Sequence, residues 1–203
     1  MEQGSQEWLQ ARCGKVTGSR FADVLSSKRG MSKTALNYIL EIVGEILTGV
    51  PADTYTSKEM AWGSKHEEFA KTWYILERGV TIEESPFLLH PDNPFVGCSP
   101  DALVGTDGVL EIKCPYNTRV HINTILEDKV PEEYEPQVHG NMWVTGRKWC
   151  DFVSYDPRIK DDRLRQHVIR VERDEQYAEY IEESVFRFVE QIKIRLKRLG
   201  VSL

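Results

Sequence analysis

Asp101, Glu111 and Lys113 are the residues whose types and spacing best suit chemistry. Asp101 closes the run Gly97-Cys98-Ser99-Pro100-Asp101, and the other two sit in Leu110-Glu111-Ile112-Lys113-Cys114-Pro115. Side chains two apart on a β-strand share a face, so Glu111 and Lys113 project together while Ile112 turns toward the interior. The Asp101 and Glu111 carboxylates are hard oxygen ligands suited to Mg²⁺ or Mn²⁺. An adjacent ammonium can orient water or offset charge on a phosphate. Metal-assisted hydrolysis of a phosphodiester needs that combination. The structural alternative is an exposed Glu–Lys pair on the solvated face of an edge strand.

Three consecutive strands are expected to position these groups, over Val80–His90, Phe95–Val104 and Val109–Cys114, with a hairpin turn at Gly105-Thr106-Asp107-Gly108. Parity constrains them. A loop of two or four residues would put Asp101 on the face opposite Glu111 and Lys113, so the site requires an odd loop, a bulge, or an Asp101 lying beyond the regular ladder. Pro100 makes the last option plausible.

Helices account for much of the remaining chain. Ser5 to Gly14 reads as a short helix. Thr17-Gly18-Ser19-Arg20 begins a second, whose hydroxyls and free N–H groups suit a phosphate or simply cap the helix. Ser26 to Gly30 is a basic loop able to follow a DNA backbone. Ser32 or Thr34 caps a helix with Leu36, Ile39, Leu40, Val43, Ile46 and Leu47 toward the core and Gly49 at its end. Ser57 to Arg78 holds a longer helix with Phe69, Trp73 and Leu76 toward the core. On it, Glu67 or Glu68 either reaches the strand site or is solvated, and His66 reads as a surface or hydrogen-bonded histidine. A helix near Val120–Leu126, another over Glu132–Val144, strands over Lys148–Tyr155 and Leu164–Val171, and a final helix capped by Asp174 follow. Tyr177, Ile181, Val185, Phe188, Ile192, Leu196 and Leu199 stripe that last helix. Basic Lys193, Arg195, Lys197 and Arg198 suit its C-terminal dipole.

The 203 residues fit one α/β domain, 1–203, with a sizeable core. No run approaches the roughly 18 apolar residues of a membrane span, and no secretory signal is read at the start. Cys13, Cys98, Cys114 and Cys150 show neither CxxC nor zinc spacing, which points to reduced thiols in a cytoplasm. A formal charge of −6 argues against a protein that coats nucleic acid generally, and leaves room for an enzyme with a local basic groove.

The order of elements around Asp…Glu-x-Lys resembles the PD-(D/E)XK nuclease superfamily. More of the chain resembles the phage lambda exonuclease family, the YqaJ-type viral recombinases. The matching stretches are Trp8-x-x-x-Arg12-x-Gly14-x-x-Thr17-x-Ser19, Ala61-Trp62-Gly63-x-x-x-Glu67, Glu84-Ser85-Pro86, Cys98-Ser99-Pro100-Asp101 and Leu110-Glu111-Ile112-Lys113-Cys114-Pro115. Gln137-Val138, Met142-Trp143-Val144-Thr145, Tyr155-Asp156-Pro157-Arg158 and Glu172-Arg173-Asp174-Glu175 continue in the family's order.

The resemblance implies a central mixed sheet flanked by helices and a processive 5′→3′ exonuclease. Such an enzyme degrades one strand of linear duplex DNA to 5′-mononucleotides and leaves a 3′ single strand for recombination. By position, Asp101, Glu111 and the Ile112 carbonyl match metal ligands, Lys113 the catalytic lysine, and Glu67 a helical glutamate reaching the second metal or its water. Two Mg²⁺ ions are implied, with Mn²⁺ substituting. Arg12, Ser19, Ser99 and Gln137 match residues that hold a terminal 5′-phosphate. Met60 falls at a strand-separating wedge, and Arg29, with Lys28 beside it, along the downstream duplex. His139 stands where relatives carry a polar residue and is assigned no role. Also implied are a ring-shaped homotrimer, whose channel Lys28, Arg29 and Lys58 would line, a single-strand annealing partner, and a phage or prophage protein in a bacterial cytoplasm.

Two other classes stay open on sequence: an endonuclease on the same core, and a DNA-end-binding module without catalysis. An iron–sulfur relative would need clustered cysteines, which this chain lacks.

Overall fold

The computed structural model describes residues 3–25, 31–52 and 57–201. Helix α1 (Gln6–Arg12) starts at Ser5, whose hydroxyl accepts the Trp8 N–H at 3.2 Å, and the chain turns at Gly14 with φ +73°. Strand β1 (Val16–Thr17) leads through a 3₁₀ turn (Gly18–Arg20) into α2 (Phe21–Leu25). Ser32 and Ser57 cap α3 (Lys33–Thr48) and α4 (Lys58–Arg78), and Gly49 and Gly79 end them in the left-handed conformation that a Cβ disfavours.

The strands β2 (Ile82–Glu83), β3 (Leu88–His90), β4 (Asn93–Cys98), β5 (Ala102–Val104) and β6 (Gly108–Lys113) follow. After α5 (Thr118–Glu127) and α6 (Glu135–Thr145) come β7 (Trp149–Tyr155), α7 (Asp162–Arg165), β8 (Gln166–Glu172) and α8 (Glu175–Arg198). Two mixed sheets result, one ordered β1-β4-β3 and the other β2-β5-β6-β7-β8. Central β6 is antiparallel to β5 and parallel to β7. A parallel neighbour demands a crossover connection, and α5 with α6 supplies it.

Side-chain alternation on β6 serves two packing layers. Leu110 and Ile112 pack with Ala70 and Tyr74 of α4, whereas Val109 packs with Val138 and Met142 of α6. Glu111 and Lys113 share the parity of Val109 and so face α6. A third core joins α2, α3 and α8 to β1 and β4 around Phe21, Ile39, Val96, Ile181 and Phe188.

Several expected elements differ. The first two long strands are each broken. The first divides into β2 and β3 around Glu84-Ser85-Pro86, and the second into β4 and β5, which lie in different sheets. Pro100 lacks the N–H needed to continue a ladder, and the chain changes sheet there. The buried face of α3 comprises Ala35, Tyr38, Ile39, Ile42 and Val43, while Leu36, Leu40 and Leu47 are exposed. On α4, Ala70 and Tyr74 are buried, whereas Phe69 and Leu76 are exposed. Ala70 lets the helix approach the sheet, and the Tyr74 hydroxyl donates to Asp151 at 2.7 Å. On α8, Leu199 is exposed. Leu164 lies in α7 rather than in β8.

Candidate active site and end pocket

The parity requirement is met by the turn. Ala102 pairs with Leu110 and Val104 with Gly108, so Gly105, Thr106 and Asp107 form an odd connection, with Gly105 at φ +53°. Asp101 therefore takes the side of Glu111, one residue past the paired part of β5. Its N–H donates to the Leu110 carbonyl at 3.0 Å, and its Oδ2 accepts the Ile112 N–H at 2.5 Å. The carboxylate thus takes over a ladder position that a backbone carbonyl would otherwise fill.

Glu111 is 1% exposed, and both of its oxygens are engaged. Lys113 Nζ lies 2.7 Å from Oε1, and the Asn141 amide donates to Oε2 at 2.8 Å. Burial, followed by the charges of Glu111 and Glu67, pushes Asp101 well above the usual carboxylate range. Burial opposes the charge of Lys113, but Glu111 and Asp101 outweigh it and hold the ammonium above its ordinary value. Lys113 also sits over the Tyr134 ring, 5.2 Å from its centre.

Glu67 enters from α4, close enough for its charge to act on both Asp101 and Cys114. Burial, then Glu67 and Asp101, push the Cys114 thiol up to about 12. Lys71, one turn after Glu67, lies 3.2 Å from Glu67 Oε1 and 3.0 Å from Glu68 Oε1. Glu68 itself is exposed, so Glu67 is the glutamate that faces the site. His66 stacks on Trp62 with ring centres 4.2 Å apart, and its Nε2 is buried without a partner.

Whether these residues suit a metal follows from the donor set. Among the described residues, no three His, Cys, Asp or Glu side chains converge closely enough to hold an ion unaided. Mg²⁺ is ordinarily held by one or two carboxylates plus waters and substrate phosphate oxygens. Asp101 and Glu111, both desolvated and repelling one another, fit that demand, since a cation would relieve the repulsion.

Of the four expected phosphate residues, Arg12, Ser19 and Ser99 are linked to one another through Trp8 and Thr17, next to Asp101. Arg12 Nη2 donates to Thr17 Oγ1 at 3.3 Å and Ser19 Oγ at 3.2 Å, and its guanidinium lies 4.1 Å from the centre of the Trp8 ring. Trp8 Nε1 donates to Ser99 Oγ at 3.0 Å, two residues before Asp101. Thr17 makes no helix-capping bond with its side chain; it faces Arg12 instead. Burial lowers the pKa of Arg12. Glu45, the acidic group in electrostatic reach, has its oxygens on the Gly14 and Ala52 N–H groups. A half-buried cation held by hydroxyls is a receptive site for an anion.

Gln137 is half-buried on α6, one turn before Asn141. Met60 is exposed in the first turn of α4. Lys28 and Arg29 lie outside the described residues. His139 stacks on Tyr177 with ring centres 4.4 Å apart. The sequence reading missed Asn141, Lys71 and Tyr134. Helical spacing could have found two of them, since Lys71 follows Glu67 and Asn141 follows Gln137 by four residues. Nothing in the sequence pattern marks Tyr134 as a neighbour of Lys113.

A family model described as the YqaJ-like viral recombinase domain matches residues 7–148. LHK-Exo, an alkaline exonuclease from Laribacter hongkongensis, is 39% identical with a TM-score of 0.88, over 97% of this chain and 96% of that one. Its complex with dAMP gives the same identity and score over 96% of each chain. A phage-related exonuclease from Haemophilus somnus 129PT shares the fold at a TM-score of 0.75 and 16% identity, over 91% and 96% of the two chains. ExoD, an uncharacterized protein of Escherichia coli strain K12, is 34% identical over 73 residues, 36% of this chain and 82% of its own length. No helix among the described residues is long and apolar enough to cross a membrane. The mixed sheet with its flanking helices is consistent with a PD-(D/E)XK-like core, and the chain belongs to the YqaJ-like viral recombinase family, whose structural neighbours are alkaline and phage-related exonucleases.

Proposed function

We propose that this chain is a Mg²⁺-dependent 5′→3′ exonuclease that acts processively on the ends of linear duplex DNA. It releases 5′-mononucleotides and leaves a 3′ single strand for an annealing protein in recombination. One observation carries this reading. The Arg12 pocket and the carboxylate–lysine cluster meet at Ser99-Pro100-Asp101, with Ser99 bonded to the tryptophan under Arg12 and Asp101 bonded to the strand of Glu111 and Lys113. A 5′-phosphate held at Arg12, Ser19, Ser99 and Gln137 would set the first phosphodiester beside the carboxylates. The complex of the related LHK-Exo with dAMP agrees with a mononucleotide product.

In this reading Asp101, Glu111, the Ile112 carbonyl and Glu67 would hold the metal. A Mg²⁺ ion bound there would supply an activated water and offset charge around phosphorus. Lys113, held cationic beside Glu111, steadies the charge that builds on the phosphate. Arg12 orients the end through a permanently charged planar fork. Exposed Met60 would part the strands, and Lys28, Arg29 and Lys58 would follow the backbone of the duplex.

Assembly as a ring-shaped homotrimer belongs to the same proposal. The exposed Leu40, Leu47 and Val50 provide apolar surface that contact between copies would cover. Light scattering that found monomer alone would remove this part. The activity is tested by digesting linear duplex with and without a 5′-phosphate, beside a closed circle, in Mg²⁺. Faster loss of phosphorylated ends with an intact circle is expected. Equal rates remove the anchor, cutting of the circle indicates an endonuclease, and tight end binding without cleavage indicates a binding module.

A further inference from the structure

Helix α6 places Asn141 one turn beyond Gln137, with 1% of its surface exposed. Its amide nitrogen donates to Glu111 Oε2 at 2.8 Å. Its Oδ1 is buried with no hydrogen-bond partner. That oxygen faces the turn that carries the end pocket, for a Cβ built on Gly18 would lie 3.1 Å from it and 3.1 Å from Cys98 Cβ. Glycine at position 18 lets the Thr17–Ser19 turn rest directly against the amide. A single side chain therefore touches a candidate metal ligand at one end and the candidate phosphate pocket at the other.

The orientation of the amide follows from charge. An ionised carboxylate only accepts hydrogen bonds, so Asn141 must present nitrogen to Glu111, and its oxygen is then committed to the Gly18 side. Lys113 holds the other oxygen of Glu111 at 2.7 Å. Asn141 and Lys113 together fix the rotation of the carboxylate. A displacement of the Thr17–Ser19 turn would press on Asn141 and turn Glu111 with it.

We infer that Asn141 is a positioning residue that aims the Glu111 carboxylate and couples it to the pocket for the DNA end. This rests on the metal and phosphate assignments proposed above. Outer residues that orient metal ligands typically change metal affinity or activity by roughly 10–100-fold when removed.

The test measures Mg²⁺ binding by calorimetry without DNA, together with kcat and KM on 5′-phosphorylated and 5′-hydroxyl duplexes. Asn141→Ala is expected to weaken Mg²⁺ binding and lower kcat on phosphorylated ends by that factor, with KM for ends unchanged. The rate advantage of phosphorylated over hydroxyl ends should shrink. Gly18→Ala acts from the pocket side without touching Glu111, and it should weaken Mg²⁺ binding in the same direction. It carries the test where Asn141→Ala does not melt like the wild type, and Asn141→Ser, which keeps a short donor, should recover part of the loss. Unaltered Mg²⁺ binding and kcat in folded Asn141→Ala and Gly18→Ala, in a wild type that binds Mg²⁺ and prefers phosphorylated ends, overturns this inference alone. A wild type that neither binds Mg²⁺ nor cuts overturns the proposed function, and the inference falls with it.

Discussion

Replacing Arg12 by lysine keeps the charge but removes the fork. Nη2 of Arg12 is committed to Thr17 and Ser19, while Nη1 and Nε make no hydrogen bond among the described residues and remain for a phosphate. A lysine that kept both hydroxyl partners would have one N–H left, so about one charge-assisted hydrogen bond is lost. Such bonds contribute roughly 1.5–3 kcal/mol each, and 1.4 kcal/mol is about tenfold. Arg12→Lys should therefore lower kcat/KM on 5′-phosphorylated duplex by about 10–150-fold. Hydroxyl ends have no phosphate to lose and should be digested near the wild-type rate. The assay follows the release of acid-soluble nucleotide from each substrate at limiting end concentration. An equal fall on both would show that Arg12 supports the fold through its contact with Trp8 and does not read the end.

Tyr74→Phe deletes a buried hydrogen bond to Asp151, which Arg170 also holds at 2.7 and 2.8 Å; about 1.5–3 kcal/mol should disappear in denaturant unfolding, and an unchanged midpoint would contradict the buried contact. His121 is buried, with Nε2 2.8 Å from the Leu164 carbonyl and Nδ1 2.7 Å from Ser154 Oγ. The carbonyl only accepts, so Nε2 carries a proton, and in the neutral ring that burial favours, Nδ1 accepts from Ser154. Burial lowers its pKa, so as pH falls below the ordinary value of 6.5 the unfolded chain takes up a proton that the folded chain refuses. Stability is then full above that value and declines as pH falls through it. His66, His90 and His139 are lowered by burial in the same sense, so His121→Gln should flatten the slope of melting temperature against pH without abolishing it; an identical slope would contradict the assignment.

Local rules carried most of the architecture. Capping serines at 5, 32 and 57, and glycines closing α3, α4 and α6, sit where side-chain chemistry and positive φ require them. The parity of the Asp101 hairpin was legible as a demand, and the odd Gly105–Asp107 turn satisfies it. Two helix faces were misjudged because both carry apolar residues around much of their circumference. Periodicity favoured the bulky Phe69 and Leu76, whereas close approach to the sheet selects Ala70, and the buried Asp151 selects Tyr74. The breaks at Ser85-Pro86 and Ser99-Pro100 were written in the prolines, yet which sheet each half joins depends on distant strands. In the site, Asp101, Glu111 and Lys113 were legible from type and spacing, whereas spacing left Glu67 and Glu68 open and only the family resemblance pointed to Glu67. Asn141 was not legible, because its contact with Glu111 exists only once α6 has crossed over β6.

The proposed activity rests on cleavage from a DNA end by the Asp101–Glu111–Lys113 cluster. It is tested most directly by sizing the products from linear duplex labelled throughout one 5′-phosphorylated strand, with Mg²⁺ or EDTA, for wild type and Lys113→Ala. Wild type with Mg²⁺ should release mononucleotides from the first time point. No product should form with EDTA or with Lys113→Ala, whose end binding should stay largely intact. Oligonucleotide products, cleavage in EDTA, or an active Lys113→Ala would contradict the proposed activity.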